Sequence, residues 1–231
     1  MKKFIIATIS IICLFGCGKK EAEKFEKKIV AFIWIPLGEL PLNSELAGNK
    51  AQYQDIKEAL NLNIEKIKEK ILYSLLLNGD VKNVLSKEFI DESKQHLPLF
   101  KKSGVPKLST HNVDNNDAIA YALYASGLDN QEDDVVKIIY YPVYLNGDDG
   151  LMDLDYYEAT QGADLGVFPS FYEPWGYTPL ESVAVGVPAV TTDLAGFGRY
   201  IDEENKKIPG VMVLKREGLN DNEITNSLAE F

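Results

Sequence analysis

Glu173 and Glu181, with seven residues between them, bracket the stretch of this chain best suited to chemistry: Glu173-Pro174-Trp175-Gly176-Tyr177-Thr178-Pro179-Leu180-Glu181. Thr178 suits a helix N-cap, Pro179 the first helical position and Glu181 the third, which is a capping-box pattern. A helix starting there directs free backbone N–H groups and a partial positive charge outward, so it can hold a phosphate without any basic side chain. Gly176 carries no Cβ and lets a ligand approach the backbone closely. These residues therefore suit anion binding at a helix start, with a carboxylate on either side.

Such a start has to be delivered by a strand, and the flanking pattern supplies one. Leu165-Gly166-Val167-Phe168 is strand-like, and in open parallel sheets the ligand sits beyond the carboxyl ends of the strands. Ile29 to Ile35, closed by Pro36, and Val135 to Tyr141, closed by Pro142, are continuous apolar runs expected of strands buried on both faces. Pro188 to Thr192 and Pro209 to Leu214 predict two more strands. Ile56, Leu60, Ile64, Ile67, Ile71 and Leu75 recur at steps of three and four, the spacing of an amphipathic helix. Asn115-Asn116-Asp117 caps a helix expected to run to Ser126 and stop at Gly127. Asp153 to Gln161 and Asp221 to Phe231 predict two further helices. Alternation of this kind implies an α/β fold, a Rossmann-like parallel sheet with helices on both faces. Gly196 and Gly198 read as loop geometry, His96 as solvated, and His111 is as well suited to a structural hydrogen bond as to a site. Trp34 reads as a packing residue. The acidic clusters Glu132-Asp133-Asp134 and Asp148-Asp149 read as exposed loops.

Composition narrows the function classes. The 231 residues carry 24 Lys+Arg against 35 Asp+Glu, a net charge of −11, which argues against a nucleic-acid or anionic-membrane binder. Both cysteines, Cys13 and Cys17, lie near the start, so the rest of the chain can form neither an internal disulfide nor a cysteine-based zinc site. Met1-Lys2-Lys3 and the apolar run Phe4 to Phe15 form a short basic start and a core too short to span a bilayer comfortably. Ending at Leu14-Phe15-Gly16-Cys17, residues 1–16 read as a lipoprotein-type signal peptide, Cys17 as its lipidation point, and 17–27 as a charged linker. A lipid there would tether the chain to a membrane without spanning it, placing it in the cell envelope; a cytoplasmic location is the alternative.

The string from Leu165-Gly166-Val167-Phe168-Pro169-Ser170 through Glu173-Pro174-Trp175-Gly176-Tyr177-Thr178-Pro179 to Gly196-Phe197-Gly198 closely resembles glycogen synthase of the animal and fungal type. Thr110-His111-Asn112 and Leu154-Asp155-Tyr156 resemble that family's pieces in the same order. The resemblance runs from about Lys28 to the end and is strongest from Val135 to Gly198. It implies that residues 28–231 are the nucleotide-sugar-binding, C-terminal-like domain of a retaining transferase with the two-domain GT-B architecture. UDP-glucose is then the expected donor, an α-1,4-glucan the acceptor, and no bound metal or cofactor is expected. By resemblance, Glu173 would bind the hydroxyls of the transferred glucose and stabilise an oxocarbenium-like transition state, while Glu181 would hold the ribose. Gly176, Tyr177 and Thr178 would face the diphosphate, Tyr156 would stack on the uracil, and Trp175 would shape the nucleotide-sugar loop. Stabilisation of charge on the leaving phosphate by a helix start accords with these roles.

The resemblance also sets expectations about what is missing. The family's first Rossmann-like domain, its basic pair upstream of the first matched strand and its later arginine-rich helix have no counterpart here, so little or no transfer by this chain alone is expected. Two rival readings follow from the leader: a non-catalytic envelope lipoprotein that binds a nucleotide or glycan, and a truncated or fused gene product without function.

Overall fold

Each long apolar run closed by a proline forms a strand in the computed structural model, which describes residues 8–13, 29–77, 104–134, 136–203 and 208–220, with positions 87, 90, 91, 94, 223 and 224. In chain order the elements are β1 (Thr8–Cys13), β2 (Ile29–Trp34), α1 (Ser44–Leu76), α2 (Ala118–Ala125), β3 (Val136–Tyr141), α3 (Tyr156–Gln161), β4 (Leu165–Val167), α4 (Tyr177–Ala184), β5 (Ala189–Thr192), α5 (Gly196–Glu203) and β6 (Val211–Leu214). The strands form one sheet in the order β3-β2-β1-β4-β5-β6. β2 pairs parallel with β3, and β4, β5 and β6 pair parallel in turn. β1 runs antiparallel to both of its neighbours, β2 and β4. The fold is therefore the expected Rossmann-like α/β arrangement, with one reversed strand at its middle. That strand lies inside the apolar run read as a leader.

The chain divides into two compact units, Met1–Pro41 with Val105–Phe231, and Leu42–Gly104. The second is built on α1, a 33-residue helix whose first turn is capped by Asn43, its side chain accepting from the Glu45 N–H. None of the α1 residues is buried. The expected three-and-four spacing thus marks a helix that begins twelve residues before Ile56.

In the first unit, strand pleating sends alternate residues to opposite faces, and each face finds a helix. Ala31, Ile33, Ile138 and Tyr140 pack with Leu123 of α2 on one face of β2 and β3. Phe32 and Tyr141 face the other way and pack with Tyr156 and Ala159 of α3. Both strands are covered on both sides, which is why they read as unbroken apolar runs. Val167, Val190 and Leu214 form a third cluster across β4, β5 and β6. Asn130 fixes the approach to β3: its amide donates to the Ile138 carbonyl at 2.9 Å and accepts from the Ile138 N–H at 2.6 Å.

Boundaries follow local chemistry. α2 starts at Asp117, whose carboxylate accepts from Ile119 and Ala120 N–H, and ends before Gly127, as its sequence predicted. α3 starts at Tyr156, capped by Asp155 in a complete capping box closed by Glu158, three residues later than the spacing suggested. α5 was not anticipated, because its first turn contains Gly196 and Gly198. Both positions permit close packing: a Cβ at Gly196 would lie 2.1 Å from the Pro174 carbonyl oxygen, and one at Gly198 would lie 2.0 Å from that of Thr192. The linker 17–27, Cys17 and His96 lie outside the described residues, as does most of the expected last helix.

The strands that share a direction end at one edge of the sheet. From that edge leave the segments after β2, β3, β4, β5 and β6, and there α3, α4 and α5 begin. Both predicted glutamates belong to this edge.

Candidate functional site

The loop between β4 and α4 carries Glu173 and is held from below by several independent ties. Thr192 Oγ1 donates to the Ser170 carbonyl at 2.8 Å, and Arg216 Nη1 donates to the Pro169 carbonyl at 2.6 Å. The same guanidinium lies 3.7 Å from the centroid of the Phe171 ring, a cation–π contact. Further along, Gly196 N–H donates to the Glu173 carbonyl at 3.0 Å and Phe197 N–H to the Trp175 carbonyl at 2.6 Å. Trp175 packs its ring between Phe197 and Tyr200, with centroids at 5.9 and 5.6 Å. Its ring is thus committed to α5, in keeping with a loop-shaping role. The Glu173 carboxylate accepts a hydrogen bond from Ser170 Oγ, with 3.1 Å between Ser170 Oγ and Glu173 Oε2.

α4 begins two residues earlier than the sequence indicated. Gly176, at φ 95°, is the N-cap, and no side chain caps the helix. The capping box built on Thr178 and Glu181 is accordingly absent. Thr178 already sits within the first turn, and Glu181, the fifth helical residue, lies beyond the positions whose N–H groups need a cap. Pro179 is tolerated at the third helical position because that N–H would have no intrahelical partner. A helix whose first N–H groups lack a side-chain acceptor leaves them for water or a ligand. Gly176 is required twice over. Its backbone is left-handed, and a Cβ there would stand 3.2 Å from Glu173 Oε2.

α4 is seated on β4 through a glycine. A Cβ at Gly166 would meet the Phe168 ring at 2.7 Å and Ser182 Oγ at 2.9 Å. Ser182 is fully buried and donates to the Val187 carbonyl at 3.1 Å. The residue before it, Glu181, is half-buried and accepts at Oε1 from the Tyr157 hydroxyl at 3.3 Å. Tyr157 lies on α3 and is 48% exposed.

Tyr156, its neighbour, is half-buried. Its ring packs on Trp34 at 5.1 Å between centroids, and its hydroxyl is buried without a hydrogen-bond partner. Burial first, and the nearby Glu181 charge second, push its pKa up to about 12. Trp34 donates from Nε1 to the Val143 carbonyl at 2.7 Å, so it is a packing residue as expected. Tyr156 and Tyr157 meet edge to face at 5.2 Å. Around the Glu173 loop, Phe171, Tyr172 and Tyr177 are exposed at 70, 63 and 66%.

The loop after β3 is organised by Asp149, which the sequence had suggested was simply solvated. Its Oδ1 accepts from the Tyr141 hydroxyl and from the N–H groups of Leu151 and Met152 at 2.9 and 3.0 Å. His111 is buried, with Nδ1 2.9 Å from Thr110 Oγ1 and Nε2 3.4 Å from the Asp149 carbonyl, contacts that suit a structural hydrogen-bonder. Between the loops after β2 and β3 lies a cleft of about 370 Å³, lined in part by Gly38, Leu40, Tyr144, Asn146 and Asp148. Among the described residues no helix is long and apolar enough to cross a membrane.

Sequence reasoning missed Ser170, Tyr157 and Arg216. Ser170 stands three residues before Glu173 in a loop, a spacing from which a side-chain contact could have been inferred. Arg216 stands two residues after β6, and its place at the carboxyl edge was the available signal. Tyr157 carried none, because which of two adjacent tyrosines faces outward depends on the exact start of α3.

The glycogen synthase family model matches residues 14–231. Mouse liver glycogen (starch) synthase is 32% identical over 210 residues, covering 88% of this chain and 30% of the mouse protein. The Caenorhabditis elegans glycogen (starch) synthase is 32% identical over 211 residues, covering 87% of this chain and 31% of its own length. Isoform 1 from Saccharomyces cerevisiae is 31% identical over 224 residues, covering 89% and 32%. The chain thus spans about 30% of the length of these curated relatives. The sheet edge with an uncapped helix start, the two glutamates of the β4–α4 unit and the match along the chain agree: this protein belongs to the glycogen synthase family.

Proposed function

We propose that this chain forms the donor-nucleotide site of a retaining glucosyltransferase that moves glucose from UDP-glucose to an α-1,4-glucan. The observation that carries the reading is the start of α4, left-handed at Gly176 and uncapped, with Glu173 just before it and Glu181 on it. The N–H groups of Tyr177 and Thr178, with the Thr178 hydroxyl, receive the diphosphate, and the helix dipole favours the charge that grows on it as the glycosidic bond breaks. Glu173, oriented by Ser170, binds the glucose hydroxyls and steadies the positive charge on the sugar. Glu181 takes the ribose hydroxyls. The base lies over Tyr156, which Trp34 holds in place from below. Trp175 and Arg216 keep the Glu173 loop in position.

A donor site by itself aligns no acceptor, and alignment is worth roughly 7–11 kcal/mol of barrier lowering. Binding without efficient transfer is therefore expected of the isolated chain. Titration calorimetry with UDP and with UDP-glucose tests the site: saturable heat from both supports it, and no heat from either refutes it. Incubation with labelled UDP-glucose and glycogen tests the second expectation, which rapid extension of the glucan would overturn.

A further inference from the structure

Glu181 and Tyr157 belong to two helices that both begin at the carboxyl edge of the sheet. α3 is fixed at its start by a capping box in which Asp155 accepts from Glu158 N–H at 2.8 Å and Glu158 accepts from Asp155 N–H at 3.0 Å. α4 is fixed by the seat of Ser182 against Gly166. The phenol of Tyr157 bridges the two, donating to Glu181 Oε1 across 24 positions of sequence. Tyr157 is exposed and Glu181 half-buried, so this bond lies at the surface and packs no core. The Tyr156 hydroxyl also faces this carboxylate, which still keeps lone pairs for other donors. A phenol is protonated at neutral pH and hence a donor, and the charge of Glu181 raises the Tyr157 pKa further.

We propose that Tyr157 is a positioning residue for the nucleotide, holding Glu181 in the orientation in which its free lone pairs meet the ribose hydroxyls. This rests on the UDP site proposed above. A carboxylate free to rotate must be ordered by the ligand, and affinity falls by that ordering cost; one held by a phenol is ordered beforehand. The phenol acts through Glu181 and has no direct contact with the reacting sugar, so its influence is confined to the ribose end.

The test is calorimetry on the full chain with UDP and with 2′-deoxy-UDP, comparing wild type, Tyr157→Phe, Glu181→Gln and the double variant. Tyr157→Phe keeps the ring and its edge contact with Tyr156, so the fold is retained. It is expected to weaken UDP about two- to tenfold, the range of one solvent-exposed hydrogen bond, while changing 2′-deoxy-UDP binding less. In the Glu181→Gln background the same change is expected to have a much smaller effect. Wild-type affinity in Tyr157→Phe, an equal loss on both nucleotides, or full loss without Glu181 overturns the assignment while leaving the UDP site standing. No heat from wild type removes the UDP site and this role together.

Discussion

Replacing Gly176 by alanine separates the two demands that the structure places on this position. The backbone there has φ 95° and ψ 77°, a left-handed conformation that an L side chain enters at a cost of roughly 1–2 kcal/mol. For a domain of this size that strain lowers Tm by roughly 2–8 °C. The new Cβ would also stand 3.2 Å from Glu173 Oε2 and 3.5 Å from its Cδ. The carboxylate must then give way by a few tenths of an ångström, loosening its 3.1 Å hydrogen bond with Ser170. Losing that bond costs about 0.5–1.5 kcal/mol, a two- to tenfold change in affinity if Glu173 binds the sugar. The strain therefore governs stability, and the displaced carboxylate governs the ligand. Calorimetry with UDP and UDP-glucose on Gly176→Ala, with melting curves alongside, reads both. UDP-glucose is expected to weaken more than UDP, since Glu173 addresses the glucose. An equal loss for the two ligands, or none, would refute the placement of Glu173 at the sugar.

Three other outcomes are expected. Arg216→Ala removes the donor to the Pro169 carbonyl and the partner of the Phe171 ring, at about 2–3 kcal/mol in urea unfolding; Arg216→Lys restores little, because a lysine cannot reproduce the planar stack. Tyr140, Tyr141 and Tyr156 all have raised pKa values, chiefly through burial. The unfolded chain loses those protons first, so stability is intact below about pH 10 and falls as pH rises above it. Tyr156→Phe should flatten part of that alkaline slope in pH-dependent melting curves. Deleting residues 1–16 takes away β1, which pairs with six residues of β2 and three of β4. Both neighbours then present unpaired backbone, and aggregation or a lowered Tm is expected by size-exclusion chromatography and calorimetry.

Much of this was legible in the sequence. β2 and β3 declared themselves because burial on both faces leaves no room for alternation, so Phe32 and Ile33 are apolar alike. Asp117 and Gly127 bounded α2 because a capping carboxylate and a left-handed glycine are local requirements. The glutamate before a helix start and the glutamate on that helix were also readable. What escaped was set by tertiary contact. Thr178 had the local chemistry of a cap, yet the tie between Phe197 and Trp175 and the turn at Gly176 begin the helix earlier. Gly196 and Gly198 look like loop residues until the carbonyls of Pro174 and Thr192 are seen where side chains would be. Asp149 resembles any surface acid, and only the fold shows four donors converging on it.

The reversed strand has a kinetic consequence. β1 precedes β2 in the chain, but its second neighbour, β4, starts only at Leu165, more than 150 positions after Cys13. The wing made of β3 and β2 is joined to the wing made of β4, β5 and β6 through β1 alone. Closing so long a loop is slow. Assembly of the complete sheet must therefore wait until most of the chain has been synthesised.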